Sequence, residues 1–218
     1  MPRVLITGSS RGVGHALLSE LISRDYEIIA HYCQQVPLEH PRVTHWQADF
    51  SNDAQPITPP DIDQLDALIH CAGVAQLGTI ADARREVWHK HLAVNVLSPM
   101  ELTAALLPAL RNASGQVIYI NSGAGQHTNP HWGAYSASKF AAKAFMDTLR
   151  QEEPSLRVTS IYPGRIDTDM QREIISQEGK TYDGSRFLRP ETVAKAIIYA
   201  LESPADAHIP DITIRPRG

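Results

Sequence analysis

Read only for apolar and polar positions, the chain alternates between two periods. Short runs that are apolar on successive positions and rich in β-branched residues recur: RVLIT at 3–7, EIIAHY at 27–32, ALIHC at 67–71, QVIYIN at 116–121, RVTSIY at 157–162 and DITIRP at 211–216. Such runs describe strands buried on both faces, as in a parallel sheet. Between several of them lie helical patterns: VGHALLSELISR from residue 13, with Leu17, Leu18 and Leu21 on one stripe, VNVLSPMELTAALLPAL from 94, AYSASKFAAKAFMDTLRQE from 134 and PETVAKAIIYALES from 190. With VTHWQA at 43–48 as a further short strand, the alternation predicts an α/β fold. It is a doubly wound, mostly parallel sheet of about seven strands with helices on both faces.

The stretch Val36–Pro60 breaks the pattern, with five prolines and no sustained helical period. It predicts a compact form in which the crossover helices after the second and third strands are trimmed. No repeat or linker divides the chain, so residues 1–218 are read as one domain. Residues 169–190 carry charges, two glycines and few apolar positions. They read either as a substrate lid or as an ordinary surface excursion.

Composition narrows the function classes. Apolar residues at 43% and charged residues at 20% are globular values, and no apolar run approaches the ~18 residues of a membrane span. The start, MPRVLITGSS, lacks the long apolar segment of a signal peptide, so a soluble cytoplasmic protein without a membrane partner is expected. A net charge of −4 and a pI near 6.2 give no footprint for a polyanion, which argues against nucleic acid. The ten histidines are scattered without an HExxH pattern, and His89 and His91, two apart, do not share a helix face, so no metal site is expected. Cys33 and Cys71 form no CxxC pair and read as reduced core residues.

Chemistry enters immediately after the first strand, in TGSSRGVGHALL, where Gly8, Gly12 and Gly14 open a helix. Glycines permit close backbone approach, and a helix start offers unpaired N–H groups and partial positive charge to a pyrophosphate. The spacing is GxxxGxG, and its position between strand and helix marks a dinucleotide-binding loop. At the end of the second strand, AHYCQQ has no acidic residue to hold the ribose hydroxyls of NAD. Arg11 in the loop, with His31 as helper, is suited to a 2′-phosphate, so NADP is preferred and NAD is the alternative.

In GAYSASKFAAKAF, Tyr135 and Lys139 stand four apart and share a helix face. With strand, glycine loop and YxxxK together, the chain resembles the short-chain dehydrogenase/reductase family over nearly its whole length, in ordered motifs: TGSSRGVG, ADF at 48–50, HCAG at 70–73 where the family has NNAG, VNV at 94–96, INSGAG at 120–125 and YPGRIDTDM at 162–170. The resemblance implies a Rossmann-like domain, with a cofactor site of Gly8, Ser10, Arg11, Gly12, Val13, Gly14, His31, Asp49, Ala72, Gly73, Asn95, Tyr135, Lys139, Pro163, Gly164 and Thr168. It implies catalysis by Asn95, Ser122, Tyr135 and Lys139. Tyr135 is then general acid in reduction and base in oxidation, Ser122 bonds the substrate oxygen, Lys139 holds the nicotinamide ribose and Asn95 orders a proton-conducting water. A free phenol has a pKa near 10, and the Lys139 cation is expected to make Tyr135 more acidic.

The expected activity is NADP(H)-dependent interconversion of a carbonyl and a secondary alcohol on a small organic molecule, by a homodimer or homotetramer. The competing reading is a non-catalytic NAD(P)-binding regulatory protein on the same fold, and a further one is a structural partner pairing through helix 134–152. His70 and Cys71 depart from NNAG, and the chain ends soon after its last strand, with much of the C-terminal extension of many members omitted. Trp132, His127, Tyr182 and Phe187 read equally as pocket lining or core filler.

Overall fold

The computed structural model describes residues 1–52, 56–204 and 206–217. Among these residues seven strands form one sheet: β1 (Arg3–Thr7), β2 (Glu27–Tyr32), β3 (Val43–Gln47), β4 (Ala67–His70), β5 (Gln116–Ile120), β6 (Arg157–Pro163) and β7 (Asp211–Ile214). Their order is β3-β2-β1-β4-β5-β6-β7 and every neighbouring pair is parallel. In β1, Leu5 stands level with Ile29 of β2 and Leu68 of β4. Val4, Leu5, Ile6, Ala67, Leu68 and Ile69 lose all solvent contact, because these central strands are covered on both faces. The edge strand β7 instead alternates exposed and half-buried positions.

Among the described residues there are six α-helices: α1 (Gly12–Ile22), α2 (Arg85–Leu92), α3 (Ser98–Ala113), α4 (Gly133–Glu152), α5 (Asp169–Gln177) and α6 (Pro190–Leu201). On one face Leu17, Leu18 and Leu21 of α1 pack with Val193, Ile197 and Ile198 of α6. On the other, Leu102, Leu106 and Leu110 of α3 meet Ala142, Met146 and Leu149 of α4. Fully burying one such leucine contributes about 1.5–3 kcal/mol, so the apolar stripes hold the helices in place. Pro190 opens α6 where its missing N–H costs nothing.

The trimmed crossovers are present: among the described residues, no helix lies between β2 and β4. Within Val36–Pro60, residues 53–55 lie outside the described residues. Helices α2 and α5 are additions to the sequence expectation, α5 falling inside the segment read as a lid. The last strand is shorter than DITIRP, since the ladder ends at Ile214 opposite Pro163 and Pro216 has no N–H to extend it.

A π turn at Ala93–Leu97 joins α2 to α3. By length and composition alone, the continuous stretch Arg85–Ala113 is apolar enough to cross a membrane, yet half of its most apolar window is buried against the rest of the chain. It serves as a core helix through the leucines of α3. Chain connections leave β1 and β4 in opposite directions, and the crevice at the carboxyl ends of these strands is where α/β sheets bind ligands.

Candidate active site

A cleft of about 710 Å³ opens at that crevice, lined by the glycine loop, the ends of β4 and β5, the start of α4 and the chain after β6 and β7. Gly8 and Gly12 have φ of +69° and +58°, a left-handed backbone that favours glycine. A Cβ on Gly8 would lie 2.8 Å from the Ala72 backbone, and one on Gly14 2.2 Å from the Gly8 carbonyl oxygen. Thr7 Oγ1 accepts the N–H groups of Cys71 and Ala72, both at 3.1 Å, and so ties the ends of β1 and β4 together. The Ser10 hydroxyl donates to the Gln35 carbonyl. Helix α1 begins without a side-chain cap, and Gly12, Val13 and Gly14 line the cleft. A helix start with uncapped N–H groups facing a cleft fits the pyrophosphate of a dinucleotide.

At the end of the cleft beside β2 and β3, the structure corrects the role expected of His31. Burial pulls its imidazole down to about 4. Its Nδ1 accepts the Gly8 N–H at 3.1 Å, its Nε2 lies 3.1 Å from the Ala48 carbonyl oxygen, and its ring stacks on Phe50 at 4.0 Å. Uncharged and with both nitrogens engaged, it shapes the loop and has no donor left for a phosphate. Asp49 lines the same end, where the hydroxyl and N–H of Ser51 hold its carboxyl below the usual range. Arg11 is exposed at the rim and has no carboxylate partner among the described residues. Cys33 is exposed and so is not the core residue expected, whereas Cys71 is half-buried and packs against the core.

Tyr135 and Lys139 lie on the first turns of α4, both buried. The Ser122 side chain stands beside the Tyr135 phenol and draws its pKa down, and Ser122 Oγ accepts the Ala124 N–H at 3.1 Å. The expected acidification by Lys139 does not appear: burial pushes the Tyr135 phenol up, opposed by the neighbouring Ser122 side chain. Burial also pulls the Lys139 ammonium down to about 7. Its Nζ lies 5.9 Å from the Tyr135 ring centroid and bonds elsewhere, to the Ile120 carbonyl at 2.8 Å and Tyr119 Oη at 3.2 Å. Desolvation thus pushes each of the two buried groups toward its neutral form.

The π turn carries Asn95 into the interior, fully buried. Its Oδ1 accepts the Val74 N–H at 2.9 Å, and its Nδ2 donates to the Val74 carbonyl at 3.0 Å and to Ser138 Oγ at 2.9 Å. Its main-chain carbonyl accepts the Tyr119 hydroxyl at 2.7 Å. The Asn95 side chain therefore clamps the loop after β4 to α4, and its main-chain carbonyl ties β5 to the π turn through Tyr119. Gly73 lies beside both groups: a Cβ there would sit 3.4 Å from Asn95 Oδ1 and 4.0 Å from Lys139 Nζ.

Four positioning residues escaped the sequence reading. Tyr119 looks like any strand aromatic. Asn121 accepts the Ser122 N–H at 2.8 Å and donates to the Lys139 carbonyl at 3.2 Å, joining the serine and lysine segments; a buried amide at a strand end was its signal. Thr7 is the third. The fourth, His91, is buried edge-on to Tyr135 with centroids 6.2 Å apart, while His89 is exposed. His70, one of the departures from NNAG, is buried, pulled down to about 3 by burial, and bonded to Thr103 Oγ1 at 3.0 Å, pinning β4 to α3.

Pro163, Gly164 and Thr168 line the opposite wall. Thr168 caps α5 by accepting the Gln171 N–H at 3.3 Å, and its methyl would lie 3.4 Å from a Cβ on Gly12, so this segment meets the glycine loop. Helix α5 is tied down by the Leu77 N–H to Gln177 Oε1 at 2.7 Å. Trp132 and His127 line the cleft, Trp132 edge-on to Tyr135 at 5.6 Å. Tyr182 and Phe187 pack on each other instead.

The family model described as short chain dehydrogenase matches residues 2–179. A glycine betaine reductase of Emericella nidulans is 29% identical over 98% of this chain, which spans only 18% of that protein. A Staphylococcus haemolyticus protein, named an uncharacterized oxidoreductase, is 28% identical over 97% of this chain and 96% of its own length. Among solved structures, the closed form of a serine dehydrogenase complexed with NADP+ superimposes with a TM-score of 0.85, at 25% identity, over 97% of this chain and 93% of its own.

Proposed function

The chain belongs to the short-chain dehydrogenase family, and from that membership and the geometry of its cleft we propose an NADP(H)-dependent oxidoreductase that interconverts a small carbonyl compound and a secondary alcohol. The observation that carries the reading is the buried Tyr135, with Ser122 beside its phenol, in the same cleft as an uncapped helix start. A bound NADPH supplies the hydride that the carbonyl carbon takes up.

The chain's own residues do the rest. Gly12, Val13 and Gly14 hold the pyrophosphate through their N–H groups. Ser122 aligns the substrate oxygen, and Tyr135 delivers its proton to that oxygen as the alkoxide forms. A phenol raised by burial is fully protonated near neutrality, as a proton donor must be. Lys139, within reach of both its acceptors and Gly73, holds the nicotinamide ribose. Preference for NADP over NAD is supported by the absence of an acid in AHYCQQ and by Arg11 at the rim, which has no carboxylate partner among the described residues, and the NADP+ complex of the serine dehydrogenase is consistent with it. Residues 169–190, carrying α5, act as the substrate lid. The exposed Phe140 on α4 supports homodimer or homotetramer formation.

The test is NADPH oxidation against a panel of ketones and aldehydes, with NADH in parallel. The reading requires turnover of at least one carbonyl compound, faster with NADPH. Tight NADPH binding without any turnover would favour the non-catalytic regulator.

A further inference from the structure

Beyond β7 the chain turns Arg215 back into the cleft. Its Nη1 donates to the Tyr162 carbonyl at 2.6 Å and the Ile214 carbonyl at 3.1 Å, and its Nη2 to Gln126 Oε1 at 3.4 Å. These bonds orient a planar guanidinium while leaving about two of its five N–H groups for a ligand. A Cβ on Gly123, the residue after Ser122, would lie 3.6 Å from Arg215 Nη2 and 3.6 Å from His127 Nε2. A cation and an imidazole thus flank one point beside the serine that faces the substrate.

The charge of Arg215 is not answered by the protein. Among the described residues it has no carboxylate partner. Arg165, the other arginine at this mouth, is held by both carboxylate oxygens of Glu178 at 2.6 and 3.1 Å. The site is also separate from the end of the cleft beside β2 and β3. Strands β2 and β5 are three positions apart in the sheet, and at about 4.8 Å per position their mouths stand roughly 14 Å apart. An anion at Arg215 is therefore not the 2′-phosphate that Arg11 is suited to meet.

We propose that the cleft selects carbonyl substrates bearing a carboxylate close to the reacting carbon, with Arg215 as the partner of the anion and His127 as a second polar contact. The proposal rests on the oxidoreductase reading and names its substrate class. An oriented guanidinium with donors to spare recognises a carboxylate oxygen by charge-assisted hydrogen bonds, and the hydride and proton still go to the neighbouring carbonyl.

The experiment is steady-state kinetics with saturating NADPH on matched pairs, short oxo acids against their methyl esters. The acid is expected to exceed its ester in kcat/KM by about 10-fold or more, as a charged hydrogen bond implies. Arg215→Gln should collapse that ratio toward one, mainly through KM for the acid, and Arg215→Lys should keep part of it. Because each ratio is internal to one variant, loss of folded enzyme does not alter it. Esters turned over as well as acids, or a ratio unchanged in Arg215→Gln, overturns the substrate class while leaving the oxidoreductase reading intact. Turnover of neither member, nor of any neutral carbonyl, overturns both.

Discussion

Replacing Lys139 with methionine should abolish turnover and at the same time stabilise the fold at neutral pH. The lysine is buried, and its ammonium is pulled from 10.5 to about 7. At about 1.4 kcal/mol per pH unit, burying the charged form costs about 5 kcal/mol. Below the folded-state value that cost is present in full. It fades as the pH rises from about 7 toward 10.5, because the unfolded chain then binds the proton that the folded chain has shed. Methionine keeps the length and loses the charge, but leaves the Ile120 carbonyl without its 2.8 Å donor, at about 1–3 kcal/mol. The balance near pH 7 is a gain of about 2 kcal/mol. Urea unfolding of both proteins near pH 7 and pH 10 tests the reasoning. The advantage of Lys139→Met should shrink by about 3 kcal/mol across that interval, other titrating groups cancelling between the two proteins. A stability difference that does not move with pH would refute it, whatever its sign.

Other expectations follow from single contacts. Arg11→Ala should raise the KM for NADPH by about 10-fold or more, the worth of a charge-assisted phosphate contact, and leave NADH kinetics unchanged; equal effects on both cofactors would remove the 2′-phosphate assignment. Gly8→Ala puts a Cβ on a residue with φ of +69° and 2.8 Å from the Ala72 backbone, so chemical unfolding should show a loss of about 2 kcal/mol or more. Tyr119→Phe removes one of the two acceptors of Lys139 Nζ and should move the corresponding limb of the pH–rate profile to lower pH by about one unit. An unchanged profile would show that the hydroxyl does not govern the lysine.

Much of this architecture is written in local pattern. Strands β1, β4 and β5 read clearly because both their faces are covered, leaving no polar alternate positions, and the glycine loop read clearly because left-handed φ and close backbone approach demand glycine. Helices α2 and α5 were not legible: Arg85, Glu86, His89 and Lys90 face solvent, so little apolar periodicity marks the first, and the second lies in a charged segment. The histidines were the harder case. His31 and His70 carry the side chain of a proton donor or phosphate ligand, but burial holds both neutral, and burial is a property of the assembled sheet. Likewise, the spacing of Tyr135 and Lys139 was plain, yet nothing local says that Nζ turns to Ile120 and Tyr119, partners on strand β5.

The central claim is that the Tyr135 hydroxyl gives its proton to the substrate oxygen. Single-turnover NADPH oxidation by Tyr135→Phe, with NADPH affinity measured by fluorescence on the same protein, tests it most directly. The account predicts a rate lower by about 10²–10⁴-fold with NADPH affinity retained; hydride transfer at the wild-type rate in that variant would contradict it.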